Sequence, residues 1–408
     1  MRSVTVRRPE APIRATIALP RSKSVANRAL VLAALAGDIG CVENAGDADD
    51  TRILLRLLKE LPRVMHCGEG GTTFRFLLAW ACVQEGQEHV LTGTTRLLER
   101  PHDALVDALR ELGADITRTE EGYRVIGKRL VGGAITIDSP VSSQFISALL
   151  LVAPCFEQGL RLTWTGRRLS EPYVHMTLEV LKHFGVLAEV DNGTIHVPST
   201  PLRPAPITIP RDWSAAAFWF QITALADDAE VMLEGLHTDG WQGDEEVRSF
   251  MRDLVDVDVL QHGCMLRTKA WSGPESLRFE LQGSPDLFQP LVLTWVGVNA
   301  RVAFGGLHNL PLKETDRIAA VAHALAHLGV STSFNHGVFS ILTHGPLKPA
   351  QGHAFGTSND HRMAMSLAPL ALVLEEVTIL DPDVVGKSYP RYWEDLRKAG
   401  FILEFRDK

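Results

Sequence analysis

The sequence predicts an α/β protein of two domains, built from one α/β unit used six times, three units to a domain. Three observations predict it: six apolar helices begin on small or polar residues, their starts recur at a near-constant spacing, and a proline-rich stretch divides them three and three. Length agrees, since 408 residues exceed what one ordinary core accommodates.

The first helix is "SKSVANRALVLAAL", starting at Ser22. From Val25 onward it has the composition of a core helix, yet Lys23 and Arg28 crowd its first turns with Ser22 and Ser24. The free N–H groups and the macrodipole already make that end positive, so cations are disfavoured there. The other five starts are "GGTTFRFLLAWA" at Gly70, "SSQFISALLLVA" at Ser142, "DWSAAAFWFQITALA" at Asp212, "PDLFQPLVLTWVGV" at Pro285 and "DHRMAMSLAPLALV" at Asp360. With Ser22, Gly71, Ser142, Asp212, Pro285 and Asp360 as markers, the spacings are 49, 71, 70, 73 and 75 residues. The first unit is therefore shorter by roughly 20–25 residues and is expected to lack a strand pair.

A second, amphipathic helix recurs between these, as in "ALVDALRELGADI", "MTLEVLKHFGVLAEV", "AAVAHALAHLGVSTSF" and "YWEDLRKAGFILEF". Gly113, Gly185, Gly329 and Gly400 fall where a left-handed cap ends a helix before a strand. The break is "VPSTPLRPAPITIPRDW", with prolines at 198, 201, 204, 206 and 210. Two similar domains make the cleft between them the default ligand site.

Composition narrows the function. Hydrophobic residues make up 45% and charged residues 22%, as in globular proteins, and the net charge of −8 argues against a nucleic-acid binder. Any anion site must then be local. Five scattered cysteines, an odd number without metal-like spacing, fit a reducing compartment. The N-terminal stretch lacks an apolar signal core, and no apolar run reaches the ~18 residues that span a bilayer. A soluble, cytoplasmic protein is expected, without a membrane partner.

Inward-facing apolar helices expose N–H groups only at their ends, and converging ends form an anion trap. Cations placed there cost stability unless an anion neutralises them, which explains Lys23 and Arg28. Ser22 is a natural N-cap, and Ser24 and Arg28 lie four apart on one face. "LKETDRIAAVAHAL" repeats the theme: at an expected helix start, Lys313 and Arg317 share a face with Glu314 beside them. Arg362 precedes another greasy helix, and Arg100 stands before Pro101, which suits a first helical position. "DPDVVGKSYP" has the end of a phosphate loop around Lys387, but Asp381 replaces the first motif glycine. "CGEGGTTF" is likewise only a partial dinucleotide fingerprint, with Thr73 at its third glycine position.

In order, "SKSVANRAL", "DADDTR", "GGTTFRFL", "ERP", "SSQFISALLL", "SEPYVHMTL", "KETDRIAA", "NDHRMAMSL" and "DPDVVGKSYPRYWEDL" resemble the 5-enolpyruvylshikimate-3-phosphate (EPSP) synthase family along nearly the whole chain. The resemblance implies a two-domain inside-out α/β barrel of the enolpyruvyl transferase type. Residues 1–20 and 211–408 would form one domain and 21–210 the other, with the active site in the cleft. It implies transfer of the enolpyruvyl group of phosphoenolpyruvate to the 5-hydroxyl of 3-phosphoshikimate, releasing phosphate. A monomer is expected, and no metal or organic cofactor is implied.

By match to the family's motifs, Lys23, Ser24, Arg28, Ser142, Ser143, Ser170, Tyr173, Asp286, Asn309 and Lys313 would hold 3-phosphoshikimate. Lys23, Arg100, Gln144, Arg317, Arg362 and Lys387 would hold phosphoenolpyruvate, with Gly71 lining its site and Arg75 nearby. The implied catalytic groups are Glu314, protonating the vinyl carbon, Asp286, taking the hydroxyl proton, and Lys23 assisting. The chain departs from the family pattern at Arg21, where Gly is usual, at Glu171 in "SEPY", at Phe76 and in "HNLPLKE". Retention of Gly71 leaves the phosphoenolpyruvate side unnarrowed, so glyphosate is expected to inhibit; unchanged turnover at high inhibitor concentration would count against it. The sister transferase acting on UDP-N-acetylglucosamine normally carries a reactive Cys where "TGTTRLLERPHD" has none. An inactive anion-binding homologue would have no use for Asp286, Glu314 and Lys313 together.

Overall fold

A helix that is apolar on every face has no side to offer solvent, so it must be surrounded. Six helices obey this in the computed structural model, which describes all residues except 1, 141, 272, 274, 275, 343, 344, 348–353 and 408. They are α1 (Lys23–Leu35), α2 (Gly71–Cys82), α3 (Ser143–Val152), α4 (Trp213–Leu225), α5 (Phe288–Gly297) and α6 (His361–Leu367). Trp213, Trp219 and Trp295 on α4 and α5 are fully buried. Side chains of Ser22, Ser142, Asp212 and Asp360 cap four of the starts by accepting backbone N–H groups of Val25, Gln144, Ser214 and Arg362. Helix α5 is entered through a short 3-10 turn, Pro285–Leu287.

The amphipathic helices Asp103–Glu111, Glu171–His183, Arg317–His327 and Tyr392–Lys398 are followed by Gly113, Gly185, Gly329 and Gly400, all at positive φ. At these sites glycine removes the steric cost of the left-handed turn into the next strand.

Among the described residues, five sheets have four strands and one has two. Helices α2, α3, α5 and α6 each join two neighbouring parallel strands. These are Val64–His66 with Glu88–Thr92, Gly133–Asp138 with Leu160–Thr165, Ser276–Glu280 with Arg301–Gly305, and Ala354–Phe355 with Glu376–Leu380. Helices α1 and α4 exchange partners. The strand before α1, Ile13–Ile17, pairs with Ala229–Glu234 after α4, while Ile207–Thr208 before α4 pairs with Val42–Glu43 after α1. That last pair is the two-stranded sheet, so the short first unit lacks the antiparallel pair that completes the others.

The chain divides into two compact units, Met1–Pro20 with Pro210–Lys408, and Arg21–Ile209. In the first, the Asp212 N–H donates to the Pro20 carbonyl at 3.0 Å. In the second, the Arg21 guanidinium donates to the Ile209 carbonyl at 2.9 Å. No helix among the described residues is long and apolar enough to cross a membrane.

Two local expectations are corrected. Residues 313–316 are not the first turn of a helix: Asp316 caps a helix that begins at Arg317, accepting the Ala319 N–H at 2.9 Å. The Asp316 side chain out-competes an earlier start, and Lys313 sits in extended backbone instead of one turn below Arg317. Pro101 is not a first helical residue either, because the helix starts at Asp103 with His102 at its cap, and Arg100 ends the preceding turn Thr95–Glu99.

Candidate active site

In the unit Arg21–Ile209, helices α1, α2 and α3 pack on one another, and hydrogen bonds tie their amino ends together. Lys23 Nζ lies 3.0 Å from Asp50 Oδ2, with both side chains mostly buried. The Asp50 carbonyl accepts from the Thr73 hydroxyl at 3.0 Å. Next to Thr73, the Thr72 hydroxyl accepts from Gln144 Nε2 at 2.9 Å. Gln144 Oε1 accepts from Arg75 Nη1 at 2.5 Å. Arg100 lies against Gly71 so closely that a Cβ there would stand 2.5 Å from its Nη1. Lys23, Gly71, Arg100 and Ser142–Gln144 thus meet at one end of this unit.

Arg28 sits one turn deeper, 2% exposed, and braces three helices. It donates to the Ser24 carbonyl at 2.7 Å, Thr177 Oγ1 at 2.8 Å, the Tyr173 carbonyl at 3.0 Å and Ser147 Oγ at 3.1 Å. Its guanidinium stacks 5.3 Å from the Phe76 ring centroid, a cation–π contact. Burial pulls the Arg28 pKa down to about 10, so it stays charged at neutral pH. Ser170, buried and at φ 59°, precedes the helix carrying Tyr173. Glu171 pairs with Arg168 at 2.9 Å. Burial first, then the charges of Arg75 and Arg100, push His102 down to about 3, so it is neutral.

In the other unit, four carboxylates and three cations interlock. Asp286, in the turn before α5, accepts at Oδ1 from Arg317 (2.8 Å) and Lys313 (3.3 Å), and at Oδ2 from Arg362 (3.0 Å). Arg362 also donates to the Asp286 carbonyl at 3.1 Å. Arg317, itself 1% exposed, reaches Glu314 at 3.0 Å and the fully buried Asp360 at 2.8 Å. Asp360 therefore caps α6 and fixes Arg317 at once. Burial pushes the Asp286 carboxyl up, but Arg362, Lys313 and Arg317 outweigh it and hold the group well below the usual carboxylate range.

Asp244 is the fourth carboxylate. It is 2% exposed and accepts from the Ser214 hydroxyl. Burial, reinforced by the charge of Asp286 and opposed by Arg362, raises it to about 6. Asn309 is buried, and its Oδ1 lacks a hydrogen-bond partner among the described residues. Lys387 donates to the Asn359 carbonyl (2.6 Å) and side-chain oxygen (3.1 Å), beside the Asp360 cap. The segment 382–387 is a lone 3-10 turn and not a phosphate loop.

Sequence reasoning assigned no role to Asp50, Thr72, Asp244 or Asp360. Asp50 lies inside "DADDTR" and Asp360 marks a helix start, so both carried a signal; Asp244, in the acidic run "GDEE", reads as solvated surface.

The comparisons with known proteins agree with one another. A family model described as EPSP synthase (3-phosphoshikimate 1-carboxyvinyltransferase) matches residues 7–66 and 61–396. The chain is 40% identical over 400 residues to the 3-phosphoshikimate 1-carboxyvinyltransferase of Bacteroides fragilis, covering 96% of this chain and 97% of that protein. It is 32% identical over 418 residues to the enzyme of the same name from Tolumonas auensis, covering 94% and 96%. Among solved structures, the EPSP synthase of Acinetobacter baumannii superposes with a TM-score of 0.79 at 22% identity, covering 100% of both chains. The enolpyruvyl transferase NikO from Streptomyces tendae gives 0.75 at 17% identity, covering 99% of each. These two likenesses establish the fold, that of a two-domain enolpyruvyl transferase. Similarity that runs nearly end to end in both sequence and structure makes this chain a member of the EPSP synthase family.

Proposed function

We propose that the chain transfers the carboxyvinyl group of phosphoenolpyruvate to the 5-hydroxyl of 3-phosphoshikimate, releasing phosphate. The observation that carries the chemistry is Asp286 under three cations, with Glu314 on the shared Arg317. In the free protein, Asp286 is a poor base because those cations hold its pKa down. An incoming carboxylate or phosphate competes for the same N–H groups of Arg317 and Arg362. As they turn to the ligand, Asp286 loses countercharge and its proton affinity rises, so the base becomes competent only in the loaded site.

The protons then balance. Asp286 takes the hydroxyl proton as the oxygen attacks, and Glu314, which takes up a proton once Arg317 turns from it to the ligand, protonates the methylene carbon, giving a tetrahedral adduct that still bears phosphate. In elimination Glu314 recovers a methyl proton and Asp286 returns its proton to the departing phosphate, so both groups end as they began. Lys23, Ser24, Arg28, Ser142, Ser143, Ser170, Tyr173, Asn309 and Lys313 are assigned to 3-phosphoshikimate. Lys23, Gly71, Arg100, Gln144, Arg317, Arg362 and Lys387 are assigned to phosphoenolpyruvate. What supports the second set is the joined cluster of Lys23, Gly71, Arg100 and Gln144, and the link of Arg317 with Arg362 through Asp286.

Phosphate release from the two substrates tests the proposal, with Glu314→Gln as the variant. Turnover is expected to fall at least ~100-fold while both ligands still bind. A variant within a few-fold of wild type removes Glu314 from proton transfer.

A further inference from the structure

We infer that Arg75 is a positioning residue: it locks the Gln144 amide with its oxygen on Arg75 and its N–H groups on the side of Thr72. The inference rests on the proposed role of Gln144 in holding phosphoenolpyruvate.

An anion is attracted by one end of a side-chain amide and repelled by the other, so a glutamine in an anion site is useful in a single orientation. A free amide interconverts the two by rotation. Here the atom facing Arg75 Nη1 at 2.5 Å must be the oxygen, because a guanidinium has donors only. The reversed amide would set NH₂ against N–H. Thr72, which accepts from Nε2 at 2.9 Å, does not discriminate, since a hydroxyl also donates. The choice therefore comes from Arg75. Nε2 keeps a second hydrogen beyond the one given to Thr72, and that hydrogen is available to a ligand.

Arg75 is itself immobilised. It is 2% exposed, its guanidinium lies 5.2 Å from the Phe145 ring centroid, and it donates to the Pro101 carbonyl at 3.3 Å. Phe145 follows Gln144, and Pro101 follows Arg100. One buried guanidinium thus references two neighbouring anion-binding side chains to the same point on α2.

Steady-state kinetics of Arg75→Met, Arg75→Lys, Gln144→Leu and the Arg75→Met/Gln144→Leu double variant test this. Arg75→Met is expected to raise KM for phosphoenolpyruvate about 10- to 30-fold and leave that for 3-phosphoshikimate within about twofold. Arg75→Lys, which still donates, restores most of the loss. The double variant is no worse than Gln144→Leu alone, because Arg75 acts through Gln144. Losses that multiply in the double variant, or an unchanged KM in Arg75→Met beside a raised one in Gln144→Leu, overturn the inference and spare the Gln144 assignment. An unchanged KM in Gln144→Leu overturns that assignment, and the inference falls with it. If Arg75→Met does not fold, Gln144→Glu decides with Arg75 intact. It keeps the acceptor and loses the donor, so the melting temperature should hold while KM for phosphoenolpyruvate rises as in Gln144→Leu; an unchanged KM refutes the lock.

Discussion

Asp286→Asn is expected to slow turnover about a thousandfold while making the same cluster a better site for inorganic phosphate. The amide keeps the shape and one acceptor but removes the charge on which Lys313, Arg317 and Arg362 converge. Without it Lys313, Arg317 and Arg362 lose their shared countercharge, and an external anion can take its place. In phosphate-free buffer the variant should lose about 2–3 kcal/mol of stability, the scale of hydrogen bonds to a charged group. Phosphate should recover much of that loss by binding only the folded form. Thermal melts across a phosphate titration provide the measurement. Equal phosphate-induced shifts in wild type and variant would mean that Asp286 is not the countercharge of the cluster. The pH dependence has a fixed sign. The folded pKa of Asp286 lies below its unfolded value of about 3.9. Its contribution is therefore fully present above that value and lost as pH falls through the folded one. Equilibrium unfolding of the two proteins should differ at neutral pH and converge at the acid extreme, where the wild-type carboxyl is protonated too.

Much of this arrangement is legible without coordinates, because its signals are local. A helix start needs a cap, so Ser22, Ser142, Asp212 and Asp360 announce themselves beside apolar runs, and a left-handed exit needs glycine, so Gly113 and its counterparts mark the ends. Cations at those starts flag an anion site because nothing in an apolar helix explains them. What stays hidden is non-local. Periodicity says that one α/β unit recurs six times; it does not say that Ile13–Ile17 and Ile207–Thr208 exchange partners. Nor can it show that Gln144 is held by Arg75, 69 residues away, or Arg317 by Asp360, 43 residues away. The misplaced start at "LKETDR" has the same origin. Lys313 leaves the helix to reach Asp286, and that contact exists only in the folded unit. Asp244 is the extreme case: an acidic surface pattern conceals a carboxylate buried because Ser214 receives it.

Gly71→Ala is expected to raise KM for phosphoenolpyruvate about a hundredfold without weakening the fold, and the separation of the two effects follows from where the added methyl goes. Gly71 opens α2 in ordinary helical backbone, so alanine meets no conformational penalty and gains up to about 1 kcal/mol of helix propensity. The methyl carbon, however, would lie 3.0 Å from Arg100 Cζ and 2.5 Å from Nη1, the latter closer than real Cβ atoms come to other groups. The backbone of Arg100 cannot retreat, because its N–H is bonded to the Leu97 carbonyl at 3.2 Å and Pro101 follows it. The guanidinium must swing by roughly an ångström, and a displacement of that size in a residue that positions substrate costs about two orders of magnitude. KM for 3-phosphoshikimate should stay near wild type, since the three atoms nearest this methyl all belong to Arg100, which is assigned to phosphoenolpyruvate. The room lost to phosphoenolpyruvate is also lost to glyphosate, so the same variant should resist inhibition. Paired KM values, inhibitor titration and a melting curve decide the matter. A stable variant with wild-type affinity for phosphoenolpyruvate would show that Arg100 binds from a place that the methyl does not crowd.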